Sequence, residues 1–426
     1  MDWMTEATAP VYETLRSKGG EKLAHMYREC FRSTWDTTLQ RSDGTVFLIT
    51  GDIPAMWLRD SSAQVYHYLP YAKDWPEVAE VIRGLLKRQF QYIILDPYAN
   101  AFNREADGRH GFADRTSWSG DQEPWIWEHK YEVDSLCYPI RLAYGFRQVT
   151  GNTDWCDETF RSAAETILHV WETEQRHMEK SPYYFERSDC PASDTLPEAG
   201  RGTPVAWTGM TWSGFRPSDD ACRYGYLIPS NFFAAESLRQ IGEIAEKNLQ
   251  DKALSARAET LRSQILQGLK QHAVVHHPVY GDVYAYETDG LGHYYLMDDA
   301  NVPSLLSLPY LGCVSADDPV YQNTRRMILS HENPFYFEGK YVRGIGSPHT
   351  PADYIWPISL CVQGLTSENG QEIRELLRML EITDAGTGLM HEGIFKDDPD
   401  RFTRPWFAWA NSIFSEFAEK AVQYLT

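Results

Sequence analysis

The chain has 426 residues, with 60 acidic against 40 basic side chains, a net charge of -20 and a pI near 5.1. A nucleic-acid binder needs a positive footprint to neutralise phosphates, and an anionic membrane surface would repel such a chain, whereas neutral substrates such as sugars are indifferent to the sign. The length allows one or two domains and a core that needs no covalent staples.

Apolar spacing of three to four residues predicts helices along most of the chain. The first covers 8–38, followed by a short β patch at Thr45-Val46-Phe47-Leu48 and a helix at 60–72. The next, 75–94, carries Val78, Val81, Ile82, Leu85 and Leu86 and is preceded by Asp74 with Glu77 three residues on, an Asp variant of the capping box. Helices follow at 132–149, 155–175 and 228–245, then at 250–272, where Leu254, Ala258, Leu261, Ile265 and Leu269 form the stripe. A β patch at Val283-Tyr284-Ala285-Tyr286 precedes helices at 301–310, 318–331, 351–366 and 368–384. The last helix shows Ala410, Ile413, Phe414, Phe417, Ala421 and Tyr424. Long loops rich in Gly, Pro, Trp and charge lie between them, at 96–131, 178–218, 274–299, 332–350 and 385–406.

About twelve helices make six hairpins, and six hairpins arranged in a ring make an all-α (α/α)6 toroid. No alternation of strand and helix at the spacing of a TIM barrel is present. No Pro/Ser linker divides the chain, so residues 1–426 read as one catalytic domain. Long loops inside a compact domain are usually functional, and here they would build a cleft at one end of the ring. No apolar run approaches the 18 or so residues of a membrane span.

Seven cysteines (Cys30, Cys137, Cys156, Cys190, Cys222, Cys313 and Cys361) lie far apart without a CxxC pair. The count fits reduced thiols in a cytoplasm better than a disulfide scaffold or a zinc knuckle. The opening residues, Met1-Asp2-Trp3-Met4-Thr5-Glu6, lack the basic and apolar regions of a secretory signal. A cytoplasmic location is therefore expected. The 14 Trp, 25 Tyr and 18 Phe serve mainly a large core, but aromatic faces also stack on the C–H faces of sugars.

Three segments concentrate chemistry. Gly51-Asp52-Ile53-Pro54-Ala55-Met56-Trp57-Leu58-Arg59-Asp60-Ser61 sits just before a predicted helix. Asp60 or Ser61 could simply cap that helix, with Arg59 paired to Asp60. Alternatively Trp57 is a sugar platform and Arg59 and Asp60 bind adjacent hydroxyls. Trp207-Thr208-Gly209-Met210-Thr211-Trp212-Ser213-Gly214-Phe215-Arg216-Pro217-Ser218-Asp219-Asp220 places two carboxylates side by side. Their repulsion would raise one pKa, which suits a general acid; the plainer alternative is a helix cap. Gly386-Thr387-Gly388-Leu389-Met390-His391-Glu392-Gly393-Ile394-Phe395 puts a Glu in a Gly-rich loop. Glu392 with Asp219 or Asp220 would supply the two carboxylates that glycoside hydrolysis requires.

Metal motifs are absent: there is no HExxH and no EF-hand loop. Asp298-Asp299 near Asn301 offers too few acids for a calcium site. Gly344-Ile345-Gly346-Ser347-Pro348-His349 reads as a loop lining a cleft, and no metal or other cofactor is called for.

Taken together, the 51–61 segment, Trp212-Ser213-Gly214-Phe215-Arg216-Pro217-Ser218-Asp219-Asp220-Ala221 and Met390-His391-Glu392-Gly393 resemble the signatures of glycoside hydrolase family 125. The resemblance covers about residues 40–420. It implies an (α/α)6 fold and an exo-acting, metal-independent α-1,6-mannosidase that inverts anomeric configuration and takes an α-mannoside oligosaccharide or N-glycan fragment. It further implies Glu392 as base and Asp219 as acid, with Asp220 as the alternative. A terminal mannose would then meet Met56, Trp57, Arg59 and Asp60, with Lys130, Asp220, Asp299, Asn301 and His349 as further contacts. Competing readings are a sugar epimerase or polysaccharide lyase on the same toroid, or a non-catalytic glycan-binding protein. The acidic charge disfavours a uronate lyase, and retention of both acids disfavours the binding protein.

Overall fold

The apolar stripes become twelve helices of nine or more residues in a computed structural model that describes residues 2–117 and 120–425, without the side chains of 120–122. In chain order they are α1 (Trp3–Lys18), α2 (Glu21–Ser33), α3 (Leu58–Tyr66), α4 (Pro76–Leu95), α5 (Val133–Thr150) and α6 (Glu158–Glu174). The second half supplies α7 (Ile228–Ile244), α8 (Lys252–His272), α9 (Pro319–Ile328), α10 (Pro357–Leu365), α11 (Gly370–Ile382) and α12 (Ala408–Ala421).

Burial sorts them into two rings. A helix buried all round belongs inside, and one with a single apolar stripe belongs outside. Eight of the nine residues of α3 are buried, against six of the 21 in α8. The inner ring runs α10, α12, α3, α5, α7, each packed on the next. Outside it, α2 packs on α12, α4 on α5 and α6, α8 on α7, and α11 on α10, while α1 lies on α2.

Between α7 and α10 the inner ring is closed by turns, where the sequence predicted a helix at 301–310. The helix fails because side chains take its amides. Asp298 accepts from Leu305 N and Leu306 N at 2.8 and 3.0 Å, and Ser304 and Ser307 bond each other's backbone N–H. Pro303, after a cis peptide bond, and Pro309 supply no N–H at all. The segment is tied into the ring by Tyr138 of α5, donating to Val302 O at 3.1 Å, and by Tyr321 of α9, donating to Leu306 O at 3.0 Å.

Three other boundaries differ from expectation. The predicted 8–38 helix breaks at Gly20, whose φ of +106° only glycine adopts freely. Asp74 does not cap α4: the N-cap is Trp75, and Pro76 opens the helix by removing one orphan N–H. The predicted 351–366 helix starts only at Pro357, because Tyr354–Ile355 pairs as a strand with Gly393–Phe395, which pairs in turn with Phe402–Thr403. The patch at Thr45–Leu48 is a strand paired with Leu39–Ser42, and the later one forms at Gly281–Tyr284.

Because one outer element separates successive inner helices, the inner helices run in the same direction. Their N-termini, at Trp57, Glu132, Leu227, Trp356 and Phe407, gather at one mouth of the ring. The long loops gather there too; within the 96–131 loop, residues 118 and 119 lie outside the described residues. Helix N-termini carry partial positive charge, which favours carboxylates at this mouth.

Candidate active site

The pocket at this mouth is assembled from helix starts and loop turns. A two-residue strand, Met56–Trp57, pairs with Ala101–Phe102 and delivers the chain into α3. Trp57 is thereby fixed at the N-cap, and Arg59 and Asp60 fall in the first helical turn rather than capping it. The Arg59 guanidinium is buried and surrounded by acids. Nη1 bonds Glu132 and lies 3.2 Å from Asp134, Nε lies 3.4 Å from Asp60, and Nη2 lies 3.6 Å from Asp219.

Asp219 sits at the apex of a tight turn, not at a helix cap. Arg216 N donates to Asp220 O at 2.7 Å and Asp219 N to Arg216 O at 2.9 Å, which forces Asp219 to a φ of +72°. Asp tolerates this left-handed region better than most residues. The turn is braced from behind: Arg216 pairs with Glu287 at 2.6 Å, Ser218 donates to Asp299 at 2.6 Å, and Asn301 donates to Pro217 O at 2.7 Å. The Lys130 ammonium donates to Asp219 O at 2.8 Å and is itself anchored by Asp194.

Glu392 comes from the opposite end of the chain. Met390 N donates to Asn411 of α12 at 2.8 Å, and Gly393–Phe395 joins the small sheet, so Glu392 is held between two fixed points. Arg404 reaches it from the next loop, with Nη1 at 3.3 Å from Oε1, and pairs with Asp52 at 2.6 Å.

Seven of the predicted residues meet on the wall of one pocket: Trp57, Arg59, Asp60, Asp219, Asn301, His349 and Glu392. Four do not. Met56 is fully buried beside the wall, Lys130 lies behind it holding the Asp219 carbonyl, and Asp299 braces Ser218. Asp220 points away and accepts from His349 Nδ1 at 3.1 Å. Of the adjacent acids, Asp219 therefore faces the pocket, with its side chain 30% exposed against 5% for Asp220. Asp298 and Asp299 are occupied by amide and hydroxyl donors instead of a cation. Among the described residues no group of three or more His, Cys, Asp or Glu is placed to hold a metal ion.

The sequence reading missed Arg404, Trp356 and Phe407 on the wall, and Glu132 beneath it. A signal for the aromatics was present. Trp57, Trp356 and Phe407 each stand immediately before an inner helix, so an aromatic at that position marks the pocket floor. Glu132 carried no such mark, since it read only as the first residue of a helix.

Charge balance in the site follows from these contacts. Burial pushes the Glu132 carboxyl well above its ordinary range, with Arg59 opposing and Asp134 and Asp219 reinforcing. Burial likewise lifts Asp134 to about 6. Asp219 goes the other way: burial raises it, but Lys130, Arg59, His349 and a hydrogen bond from Glu132 together bring it below the usual value. The expected rise from its neighbour Asp220 is thus overridden by cations. His349 loses from burial but gains more from Asp220, Asp219 and Glu392, and its pKa reaches about 9.

Comparison with known proteins places this site in context. A family model described as metal-independent α-mannosidase (GH125) matches residues 20–418. The Meiotically up-regulated gene 157 protein of Schizosaccharomyces pombe is 41% identical over 416 residues, 93% of this chain and 81% of its own length. A solved metal-independent α-mannosidase of Streptococcus pneumoniae, in a non-productive complex with α-1,6-mannobiose, is 46% identical with a TM-score of 0.94. That match covers 98% of this chain and 97% of the other. A bacterial glucoamylase bound to acarbose is similar in fold alone, at 12% identity and a TM-score of 0.60, covering 94% of this chain and 55% of its own.

Proposed function

Because the chain belongs to glycoside hydrolase family 125, the metal-independent α-mannosidases, we propose that it removes non-reducing terminal α-1,6-linked mannose by an inverting two-carboxylate reaction. Membership sets aside the epimerase, lyase and binding-protein readings. The observation that carries the finer reading is the meeting of Asp219 and Glu392 on one pocket wall. The Streptococcus pneumoniae relative, bound to α-1,6-mannobiose, supports the linkage.

Asp219 in its protonated form donates to the glycosidic oxygen as the C1–O bond breaks. Glu392, oriented by Arg404, takes a proton from the water that attacks C1 from the opposite face. An inverting pair needs about 6.5–9.5 Å between carboxyls to admit that water. Each proton transfer contributes roughly 10²–10⁴-fold. Trp57, Trp356 and Phe407 offer apolar faces to the sugar ring, while Asp60, Asn301 and His349 offer polar ones. A pocket enclosed by loops at one mouth of a filled ring accepts a chain end rather than a chain middle, which supports exo action.

The test is ¹H NMR of α-1,6-mannobiose hydrolysis in excess EDTA. β-Mannose as the first product supports the reading; α-mannose first, or no cleavage, overturns it.

A further inference from the structure

The acid assigned above must hold a proton to work, yet Asp219 lies within reach of Arg59, Lys130 and His349. Those three cations favour the ionised form. The source of the proton is a question the pocket wall alone does not answer.

Beneath the wall, one guanidinium faces four carboxylates: Asp60 from α3, Glu132 and Asp134 at the start of α5, and Asp219. The side chains of Glu132 and Asp134 have no exposed surface. Neighbouring cations are already engaged, Lys130 by Asp194 and Glu128, and His349 by Asp220. Four ionised carboxylates around Arg59 would leave a net charge of three minus, with two of the four carboxylates fully buried, where unpaired charge is costly. The cluster therefore retains a proton.

The contacts of Glu132 say where. Its Oε2 accepts from Arg59 and from Ser135 Oγ at 2.8 Å, its Oε1 lies 3.4 Å from Asn100 Nδ2, and the guanidinium that holds it through Nη1 faces Asp219 through Nη2 at 3.6 Å. Two carboxyls set on the two terminal nitrogens of one guanidinium, one of them fully buried, repel each other less when they share a proton. Asp134 shares Nη1 of Arg59 with Glu132 and turns its other oxygen to Ser230.

Resting on the two-carboxylate reading above, we infer that Glu132 is a positioning residue that stores the catalytic proton and passes it to Asp219 when substrate binds. The proton moves from the Glu132 carboxyl to Asp219, and from Asp219 to the leaving oxygen as the C1–O bond breaks. The attacking water forms the new C1–O bond and gives its proton to Glu392. When products leave, Glu392 releases that proton to solvent and the Glu132–Asp219 pair takes one back. Arg59 is the fixed counter-charge throughout, set at the pocket wall with its side chain almost fully buried.

The experiment compares wild type, Glu132→Gln and Glu132→Asp on α-1,6-mannobiose and on α-mannosyl fluoride across pH 4–9. The fluoride leaves without needing a proton from the enzyme. Glu132→Gln should lose at least 100-fold in kcat/KM on mannobiose at pH 7 and regain activity toward acid pH. It should stay within about threefold of wild type on the fluoride, and Glu132→Asp should recover part of the loss. An unchanged mannobiose profile, or equal losses on both substrates, overturns the inference. Should Glu132→Gln not fold, neutron diffraction of the wild-type protein at pD 7 decides: a deuteron between Glu132 and Asp219 supports it, and two bare carboxylates overturn it. Failure of the underlying reading looks different, because wild type would then not cleave mannobiose, or Asp219→Asn would leave cleavage intact.

Discussion

Arg404 Nη1 lies 3.3 Å from Oε1 of Glu392, and the other end of the same guanidinium is fixed to Asp52 at 2.6 Å. The cation fixes the proposed base and aims one of its oxygens. Replacing Arg404 with Met keeps the length of the side chain and removes the charge. The expected result is a fall in kcat of about 10²-fold on α-1,6-mannobiose, because the carboxylate loses the group that aims it. Asp52→Asn should cost far less, since Arg404 keeps its contact with Glu392. Equal losses in the two variants would show that loop geometry, not charge, is what matters here.

Asp219 and Asp220 are adjacent in sequence but face different ways, one into the pocket and one onto His349. Asp219→Asn should lower kcat/KM on mannobiose by about 10³-fold while sparing α-mannosyl fluoride. Asp220→Asn keeps a hydrogen-bond acceptor for His349 and should cost about tenfold or less on both substrates. Steady-state kinetics on the two substrates separates the residues, and a larger loss at Asp220 would exchange their roles.

Much of this site was legible because three loops concentrate Trp, Gly and acids that no helix pattern explains. The ring was legible because α3 to α8 keep their apolar spacing. What was hidden depended on contacts across the chain. The 301–310 segment is the local exception: Asp298 dissolves that helix by taking the amides of Leu305 and Leu306, seven and eight residues on, which apolar spacing does not register. Lys130 was expected as a further sugar contact from the family resemblance, whereas its bond to the Asp219 carbonyl exists only after folding. Glu132 was invisible for the same reason: its chemistry comes from Arg59 and Asp219, both distant in sequence.

His349 links the site to stability. Its folded pKa of about 9 lies above the ordinary 6.5, so the folded state binds this proton more tightly than the unfolded state. That contribution is fully present below pH 6.5 and is lost as pH rises through 9. The side chain is 36% exposed, so solvent screening weakens the effect. The Tm gap between wild type and His349→Gln should be widest at pH 6 and close by pH 9.5. Taking the difference cancels Asp298 and Glu416, buried acids raised to about 8 and 7 that titrate in the same window. A gap that stays constant across this range would show that His349 acts by packing alone.

Gly364 tests the ring itself, away from the chemistry. It lies in the last turn of α10, at the end opposite the pocket, facing Phe417 of α12. Helix propensity favours Ala over Gly by about 1 kcal/mol, which predicts that Gly364→Ala stabilises. Packing predicts the reverse. A Cβ there would stand 2.1 Å from Phe417 Cε2 and 2.5 Å from Cζ, and the Phe417 ring is fully buried among inner-ring neighbours. An exposed ring would swing aside at little cost, but this one must displace the core, and overpacking of this kind costs about 1–3 kcal/mol. Packing should win, so Gly364→Ala lowers Tm and the urea midpoint, while kcat and KM below the transition stay at wild-type values. Phe417→Leu introduced beside it should recover part of the loss, because the smaller side chain vacates the space the new methyl needs. A rise in Tm for Gly364→Ala alone would mean that the two inner helices are free to separate, and that the ring is less tightly closed than the α10–α12 contact requires.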